Sequence, residues 1–357
     1  MTQPKKAPPT YYDRPMIKRP TWSWFIPLYF FLGGIAGGAA AIGAAADLVG
    51  GRRHRATVRR ARYLSVVLAA ICPPLLVVDL GRPARFHHML RVFKLSSPLS
   101  VGTWILSGFG LASGALAARQ ALDDDLLPRQ ENLLPARLLR RVPTAPLSAL
   151  HGLLGLGLGG YTGVLLTATA VPLWAAAGLL LGPLFLCTAL ASGGAALTLL
   201  GALSRSGSVQ ARREIAAVES TAAVAQLGLA LAREVLVPPE IARPLRRGVW
   251  GPMWRLGAVG GGMSTPLALR LAMRLSGRRI GPALDATLAA LTLAGALTER
   301  FALIEAGKLS ADDPRAYQAL TRGAPGEARP TPQQQAARAG SVPAYQPHLV
   351  APEVTGS

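Results

Sequence analysis

The stretch VDLGRPARFHHMLRVFKLSSPLSVGTW, residues 78–104, is a polar and basic segment that separates two long apolar runs. Because about 20 apolar residues are enough for a helix to cross the hydrocarbon core of a bilayer, both runs predict membrane helices. The segment between them therefore predicts a loop at the membrane surface. Because most of the chain is apolar, we expect the functional groups that are accessible from water to lie in this loop.

The composition of the whole chain indicates the same class of protein. Half of the 357 residues are hydrophobic, and the mean hydropathy is +0.33. These values predict a polytopic membrane protein in which abundant Gly, Ala and Leu allow helices to pack closely in lipid. The net charge of +20 comes from arginines in the connectors, without the interleaved aromatic residues of nucleic-acid-binding proteins. Nucleic acid is therefore not a predicted partner.

Eight apolar runs predict an all-α integral membrane protein, a bundle of eight transmembrane helices. The runs cover residues of about 25–48, 63–78, 99–118, 146–170, 173–203, 215–237, 249–275 and 282–304. The predicted divisions are a polar N-terminal leader at 1–23, the eight-helix domain at 24–307 and a disordered polar tail at 308–357. Lys and Arg favour the connectors after odd-numbered runs, which places both termini outside a bacterial cytoplasmic (inner) membrane. The 78–104 loop then lies on the outer face.

Ionisable residues inside a membrane span are costly, so each one is a functional hypothesis. His151 and Glu219 lie a turn or two inside the fourth and sixth runs, where they could move protons or hydrogen-bond neighbouring helices. Glu299 is followed by Arg300, a pattern that favours an internal ion pair. Caps or charges that reach toward water explain the carboxylates near the ends of runs: Asp47, Asp79, Glu234 and Asp285.

The residue types argue against a redox centre within this chain. Of the five histidines only His151 lies inside a span, so haem with two histidine ligands on facing helices is not predicted. His87 and His88 are adjacent in a loop without nearby carboxylates, which makes a poor metal site. The only two cysteines, Cys72 and Cys187, are too few to hold an iron–sulfur cluster.

Several pieces of the sequence, in their order and spacing, resemble the membrane subunits of the polysulfide reductase NrfD family. They are YYDRPMIKRPTW with YFFLGGIAGG, DLGRP through SPLSVGTW, GYTGVLL followed by PLW, and more weakly ERFALIEAG. The similarity runs from about Tyr11 to Gly307. It implies an eight-helix subunit without haem that binds a quinone near the outer face. It also implies an iron–sulfur partner of the four-cluster ferredoxin type and a catalytic subunit that is a molybdopterin enzyme or a multihaem cytochrome.

The resemblance further implies the positions of a quinone site. Carried over by position, they are Tyr29, Gly33, Asp79, Arg82 and Tyr161. A one-residue shift would replace the first two by Phe30 and Gly34. The segment Ser97–Ser100 would border the mouth of the pocket and the partner surface. An asparagine that some members carry in the first helix has no counterpart at Tyr29 or Phe30.

Two other classes of function stay open at this point. A secondary transporter also has helices broken by Gly and Pro and carboxylates near the midplane, although no internal repeat relates spans one to four with spans five to eight. A passive membrane anchor would need no quinone site. If the protons of quinone chemistry come from the cytoplasm, His151 and Glu219 would form the inward path.

Overall fold

A computed structural model of the protein describes residues 16–126, 141–204 and 208–321, and these residues form helices and connectors without strands. The first four helices are α1 (Phe25–Val49), α2 (Arg55–Asp79), α3 (Pro98–Asp123) and α4 (Thr144–Thr167). The helices that follow are α5 (Pro172–Ala177), α6 (Leu181–Leu203), α7 (Val209–Leu236), α8 (Pro239–Arg246), α10 (Pro282–Asp312) and α11 (Pro314–Thr321). Between α8 and α10 lies α9, a continuous run of Trp250–Pro252, the π-helical Met253–Ser264 and Thr265–Leu275. Short 3-10 turns cover Arg52–His54, Pro83–Leu90 and Gly178–Leu180.

Seven stretches in the described residues are long and apolar enough to cross a membrane. They are α1, Arg52–Asp79, α3, α4, Pro172–Leu203, α7 and α10. The remaining predicted span, at residues 249–275, is α9, which is helical throughout but π-helical over its glycine-rich middle. Gly262 in this stretch lies against Gly295 of α10, where a Cβ would overlap the Gly295 backbone. The predicted all-helical membrane bundle is confirmed, and α9 differs from the other spans in its helix type.

Successive spans run in opposite directions, so the bundle has two ends. Ser23, just before α1, contacts Asp79 at the end of α2, and we call this end of the bundle the Asp79 end. At the other end Arg62, near the start of α2, pairs with Asp47 near the end of α1. We call it the Arg52 end, after the connector between these helices.

Helix α1 is the centre of the bundle. In its most apolar stretch 72% of the residues are buried, against 56% or less in the other six spans. Two glycines bring its backbone directly against its neighbours, because a Cβ at Gly37 would overlap the Gly155 carbonyl of α4 and one at Gly38 would overlap the Ala189 carbonyl of α6. Close backbone approach of this kind is how helices associate in lipid, where no hydrophobic effect drives them together.

The described residues continue past both predicted limits of the membrane domain. Helix α10 runs beyond the predicted boundary at residue 307 to Asp312, and the Leu173 backbone N–H donates to Ser310 Oγ at 3.1 Å. Helix α11 then packs its buried Ala316 on the bundle. At the other limit, Trp22 of the leader stacks on Trp174 with ring centroids 5.3 Å apart. Residues 1–15 and 322–357 of the predicted leader and tail lie outside the described residues.

Replacing Gly38 by alanine is expected to destabilise the bundle, because even one methyl group would overlap the Ala189 carbonyl. Overpacking of this kind costs about 1–3 kcal/mol. Gly114→Ala on α3 is the matched control, since a Cβ there meets nothing within 4 Å. Thermal unfolding of the detergent-purified protein should give a lower midpoint for Gly38→Ala and an unchanged or higher one for Gly114→Ala. Equal midpoints for the two variants would contradict the close packing of α1.

Candidate functional site

Asp79 is held in one orientation at the end of α2. Its Oδ1 atom accepts hydrogen bonds from the Ser23 backbone N–H at 2.9 Å and from the Ser23 hydroxyl at 2.5 Å. Among the described residues its Oδ2 atom has no hydrogen-bond partner. The carboxyl group is therefore fixed by one oxygen, while the other remains available to a ligand or to water.

Tyr29 and Gly33 lie on the face of α1 that meets α2 and α4. The Tyr29 side chain is 2% exposed. A Cβ at Gly33 would lie 3.7 Å from Tyr29 Cε2, 3.8 Å from Cys72 Sγ and 3.9 Å from Leu158 Cγ. The tyrosine ring, α2 and α4 therefore converge around Gly33, two turns below Asp79, at distances where a Cβ would make ordinary contacts.

Phe30 and Gly34, the alternative pair, lie on the adjacent face of α1, about 100° around the helix from Tyr29 and Gly33. Phe30 meets Phe185 of α6 edge to face, with ring centroids 6.2 Å apart. A Cβ at Gly34 would lie 3.7 Å from Ala189 Cβ and 3.9 Å from Arg300 Nη2. The pair Tyr29 and Gly33 therefore places the expected quinone site beside α2 and α4, whereas the pair Phe30 and Gly34 places it beside α6 and α10.

Tyr161 of α4 lies against Gly102 in the second turn of α3. A Cβ at Gly102 would overlap the phenol ring, so only glycine admits Tyr161 at this place. Tyr161 also lies close enough to Tyr29 for the two side chains to interact electrostatically. The quoted loop motif contains this glycine, but no sequence signal showed that it makes room for Tyr161.

Arg82 does not join these residues. It is exposed and precedes the 3-10 turn Pro83–Leu90. The Ser97–Ser100 segment instead ties the loop to α3: the Ser97 side chain caps the helix by accepting from the Ser100 N–H, and the Ser100 hydroxyl donates to the Val92 carbonyl at 3.0 Å. Large apolar side chains around this loop are exposed, namely Phe86, Phe93, Leu95, Leu99 and Trp104.

His151 lies between α3 and α4, nearer the Arg52 end. Its Nε2 atom is 2.8 Å from the Ser113 hydroxyl, and its ring stacks on Phe109 at a centroid distance of 4.9 Å. The imidazole is buried. Its contacts are those of a structural hydrogen bond between two helices, one of the two roles that the sequence left open.

Glu219 joins helices α6, α7, α9 and α10. Its Oε1 atom accepts from the Thr198 hydroxyl at 2.7 Å, and its Oε2 atom is 2.5 Å from Arg270 Nη1 in an ion pair without hydrogen-bond geometry. Arg270 also reaches Asp285 at 3.4 Å. Glu219 and His151 have separate partners, so the structure does not bring the two predicted proton-path residues together.

Glu299 is the centre of a second buried cluster, near the middle of α10. It is 0% exposed and accepts from Gln226 at 2.7 Å, from Thr188 at 3.0 Å and from Arg300 at 2.9 Å. The Arg300 guanidinium also donates to the Phe185 carbonyl and lies 3.5 Å from the centre of the Phe185 ring. The predicted internal ion pair between Glu299 and Arg300 is confirmed.

A third cluster surrounds Arg233 near the Asp79 end. Arg233 donates to Glu234 at 2.7 Å and lies over the Trp254 ring at 4.5 Å. Glu234 also accepts from Trp254 Nε1 at 3.0 Å and from Arg246. The Nε and Nη1 atoms of the buried Arg233 have no hydrogen-bond partner in the described part of the chain. Buried donors of this kind are usually satisfied by internal water.

These three clusters share one face of α7. Glu219, Gln226 and Arg233 follow each other at steps of seven residues, and each step advances about 10 Å along the helix. The polar groups therefore extend along most of the roughly 30 Å hydrocarbon core. We call this set the buried polar chain: Glu219, Gln226, Arg233, Arg270, Glu299 and Arg300. The sequence analysis missed Gln226 and Arg233, although their seven-residue spacing from Glu219 was a usable signal.

The fold defines a polytopic helical membrane protein. The family model described as "Polysulphide reductase, NrfD" matches residues 14–311, and the chain belongs to this family. Proteins of the family are membrane subunits of redox complexes and generally partner with iron–sulfur and catalytic subunits. No curated protein sequence is similar enough to this chain to count as a match.

Glu299→Gln is expected to destabilise the protein by about 3–5 kcal/mol, because it leaves the buried Arg300 without a counter-charge. Glu214→Gln on α7 is the control, since the Glu214 side chain is 42% exposed and its pairing with His54 at 3.6 Å is worth about 1 kcal/mol or less. The measurement is the thermal unfolding midpoint in detergent. Equal small shifts of the unfolding midpoint in the two variants would show that the buried ion pair does not stabilise the folded protein.

Proposed function

We propose that the chain is the membrane subunit of a respiratory complex that binds quinone or quinol at the Asp79 end and exchanges electrons with an iron–sulfur subunit of the four-cluster ferredoxin type. The observation that carries the proposal is the convergence of Tyr29, Gly33, Tyr161 and the fixed carboxyl of Asp79 at one end of the bundle. The catalytic subunit behind the iron–sulfur protein would be a molybdopterin enzyme or a multihaem cytochrome.

The residues at the Asp79 end suit the chemistry of a quinol. Oxidation of a quinol to a quinone releases two electrons and two protons. The Tyr161 phenol can hydrogen-bond a quinone oxygen, and the available Oδ2 atom of Asp79 can accept a proton and pass it to water. Gly102 makes room for the Tyr161 phenol, and Tyr29, α2 and α4 meet around Gly33. The electrons would go to the partner's nearest cluster, so this chain binds, orients and manages protons.

The loop at the Asp79 end offers a surface for the iron–sulfur partner. It combines exposed aromatic residues, Phe86 and Phe93, with exposed Arg82 and the nearby basic residues Arg85 and Arg91. Aromatic residues and arginine are the types enriched at protein interfaces. Arg82 would then belong to the partner surface and the pocket mouth, since it is exposed and forms no hydrogen bond or ion pair with any described residue.

We place the Asp79 end, and with it both chain termini, on the outer side of a bacterial cytoplasmic membrane. Two connectors at the Arg52 end carry exposed arginines, Arg52, Arg53 and Arg55 in one and Arg274, Arg278 and Arg279 in or beside the other. Lys and Arg in short connectors favour the cytoplasmic side. On this placement the protons of quinol oxidation leave on the outer side.

The buried polar chain is the proposed route for protons that come from the cytoplasmic side. Glu219 lies toward the Arg52 end, and the unpaired donors on Arg270, Arg300 and Arg233 would hold internal water between the clusters. Residues of this type inside a membrane span commonly mark proton relays. His151 lies across the bundle beside Ser113, so any part that it has in proton movement is separate from this chain.

Tyr161→Phe and Asp79→Asn are each expected to slow quinol-driven reduction of the partner's clusters by about tenfold or more, because each removes a hydrogen-bonding or proton-accepting group. The controls are Tyr317→Phe on α11 and the exposed Asp125→Asn, which should leave the rate unchanged. The rate is measured on the purified complex by the absorbance of its clusters, with iron content as the check of assembly. Unchanged rates in all four variants would favour a passive anchor.

Glu219→Gln is expected to abolish proton translocation by the complex while quinol oxidation stays within about twofold. The measurement is internal pH in proteoliposomes during turnover, and Glu214→Gln on the exposed side of α7 is the control. Proton translocation that persists in Glu219→Gln would exclude the buried polar chain as the route.

A further inference from the structure

The Arg52 end contains a large cavity that the proposed quinone chemistry does not use. Its volume is about 1310 Å³, and its walls come from α1, α2, α3, α4, α6 and the turn Arg52–His54. Ligand pockets for small molecules usually measure about 300–1000 Å³. Tyr29, Asp79 and Tyr161 do not line it. The cavity therefore accommodates something other than the quinone ring.

The charge of this cavity is strongly positive. Among the described residues that line it, six are arginine and three are aspartate. Each aspartate already pairs with an arginine at a nitrogen–oxygen distance of 2.8–3.4 Å: Asp47 with Arg62, Asp124 with Arg59 and Asp123 with Arg119. The carboxylates of the cavity thus leave three guanidinium groups without a counter-charge.

These three groups are Arg52, Arg55 and Arg60. Within the described ranges Arg60 donates only to backbone carbonyls, that of Ala56 at 2.9 Å and that of Leu197 at 3.3 Å. Arg52 and Arg55 are exposed and form no ion pair within the described part of the chain. Like charges that share a cavity repel each other, so an anion of more than one charge would stabilise the three together.

The shape of the cavity shows which kind of anion fits. It runs from the turn Arg52–His54 along α2 to Val67, a distance of about 22 Å at 1.5 Å per residue. Leu64, Val67 and Leu200 form its apolar wall, and Val67 is 55% exposed on the surface that faces lipid. An occupant that matches both parts has a phosphate head group for the arginines and hydrocarbon chains for the apolar wall.

We infer that this cavity binds an anionic phospholipid whose head group carries two phosphates. Guanidinium groups bind phosphate oxygens through paired hydrogen bonds, and basic pockets between membrane helices on the cytoplasmic side suit such head groups. Free phosphate shares the head-group chemistry but leaves the apolar wall unfilled. The lipid would link the basic start of α2 to α6, because Arg60 already reaches the Leu197 carbonyl of that helix.

The test is lipid binding by the delipidated protein at low ionic strength, followed by native mass spectrometry. The cavity variant is Arg52→Gln/Arg55→Gln, which leaves Arg60 and its helix contacts in place. The control is Arg274→Gln/Arg278→Gln, which removes the same charge from exposed positions at the same end of the bundle. A two-phosphate phospholipid should bind the wild type and the control equally well. It should bind the cavity variant about twenty-fivefold more weakly, at about fivefold per arginine. Equal binding by the cavity variant would overturn the site.

Two further arms separate lipid from free phosphate and from misfolding. Arg52→Lys/Arg55→Lys keeps the charge but loses the paired hydrogen bonds, so its affinity should lie between those of the wild type and the glutamine variant. Inorganic phosphate alone should raise the unfolding midpoint of the wild type much less than the lipid does. An equal rise with phosphate would assign the cavity to a soluble anion, and equal binding of phosphatidylcholine would exclude head-group recognition; either result overturns the inference.

Discussion

The contact of the α1 backbone with α4 and α6 is the constraint on which the rest of the structure depends. Gly37 and Gly38 lie against the Gly155 and Ala189 carbonyls, and no side chain fits between the helices. Because α1 is held between α4 and α6, different faces of α1 pack against different helices. Tyr29 and Gly33 face α2 and α4, whereas Phe30 and Gly34 face α6 and α10. The proposed quinone site and the buried polar chain thus meet adjacent faces of one helix.

That arrangement gives the two halves of the bundle different chemistry. The half built from α1 to α4 is largely apolar between the Asp79 end and the cavity at the Arg52 end. The half built from α6, α7, α9 and α10 carries buried charges, whose cost in lipid is reduced by pairing, as in Glu219 with Arg270 and Glu299 with Arg300. Arg300 lies beside Gly34, so the buried polar chain reaches α1 without entering the Tyr29 face.

The sequence was sufficient for the features that depend on composition and local pattern. Apolar run length predicted the helical bundle, and the adjacency of Glu299 and Arg300 predicted their ion pair. It was insufficient where the deciding contact is distant in the chain. Nothing in the polar sequence after residue 307 shows that Leu173 binds Ser310, and nothing local shows that Gly102 makes room for Tyr161. Glycine-rich spans look alike in sequence, and only their partners distinguish them.

Photoaffinity labelling of the native complex with an azidoquinone, followed by peptide mass spectrometry, tests the central claim most directly. The account predicts saturable labelling, removed by excess quinol, in the segments at the Asp79 end around Tyr29, Gly102 and Tyr161. Labelling confined to the cavity at the Arg52 end, or to the Phe30 face beside α6, would contradict the proposed site. Labelling that excess quinol does not remove would contradict quinone binding by this chain.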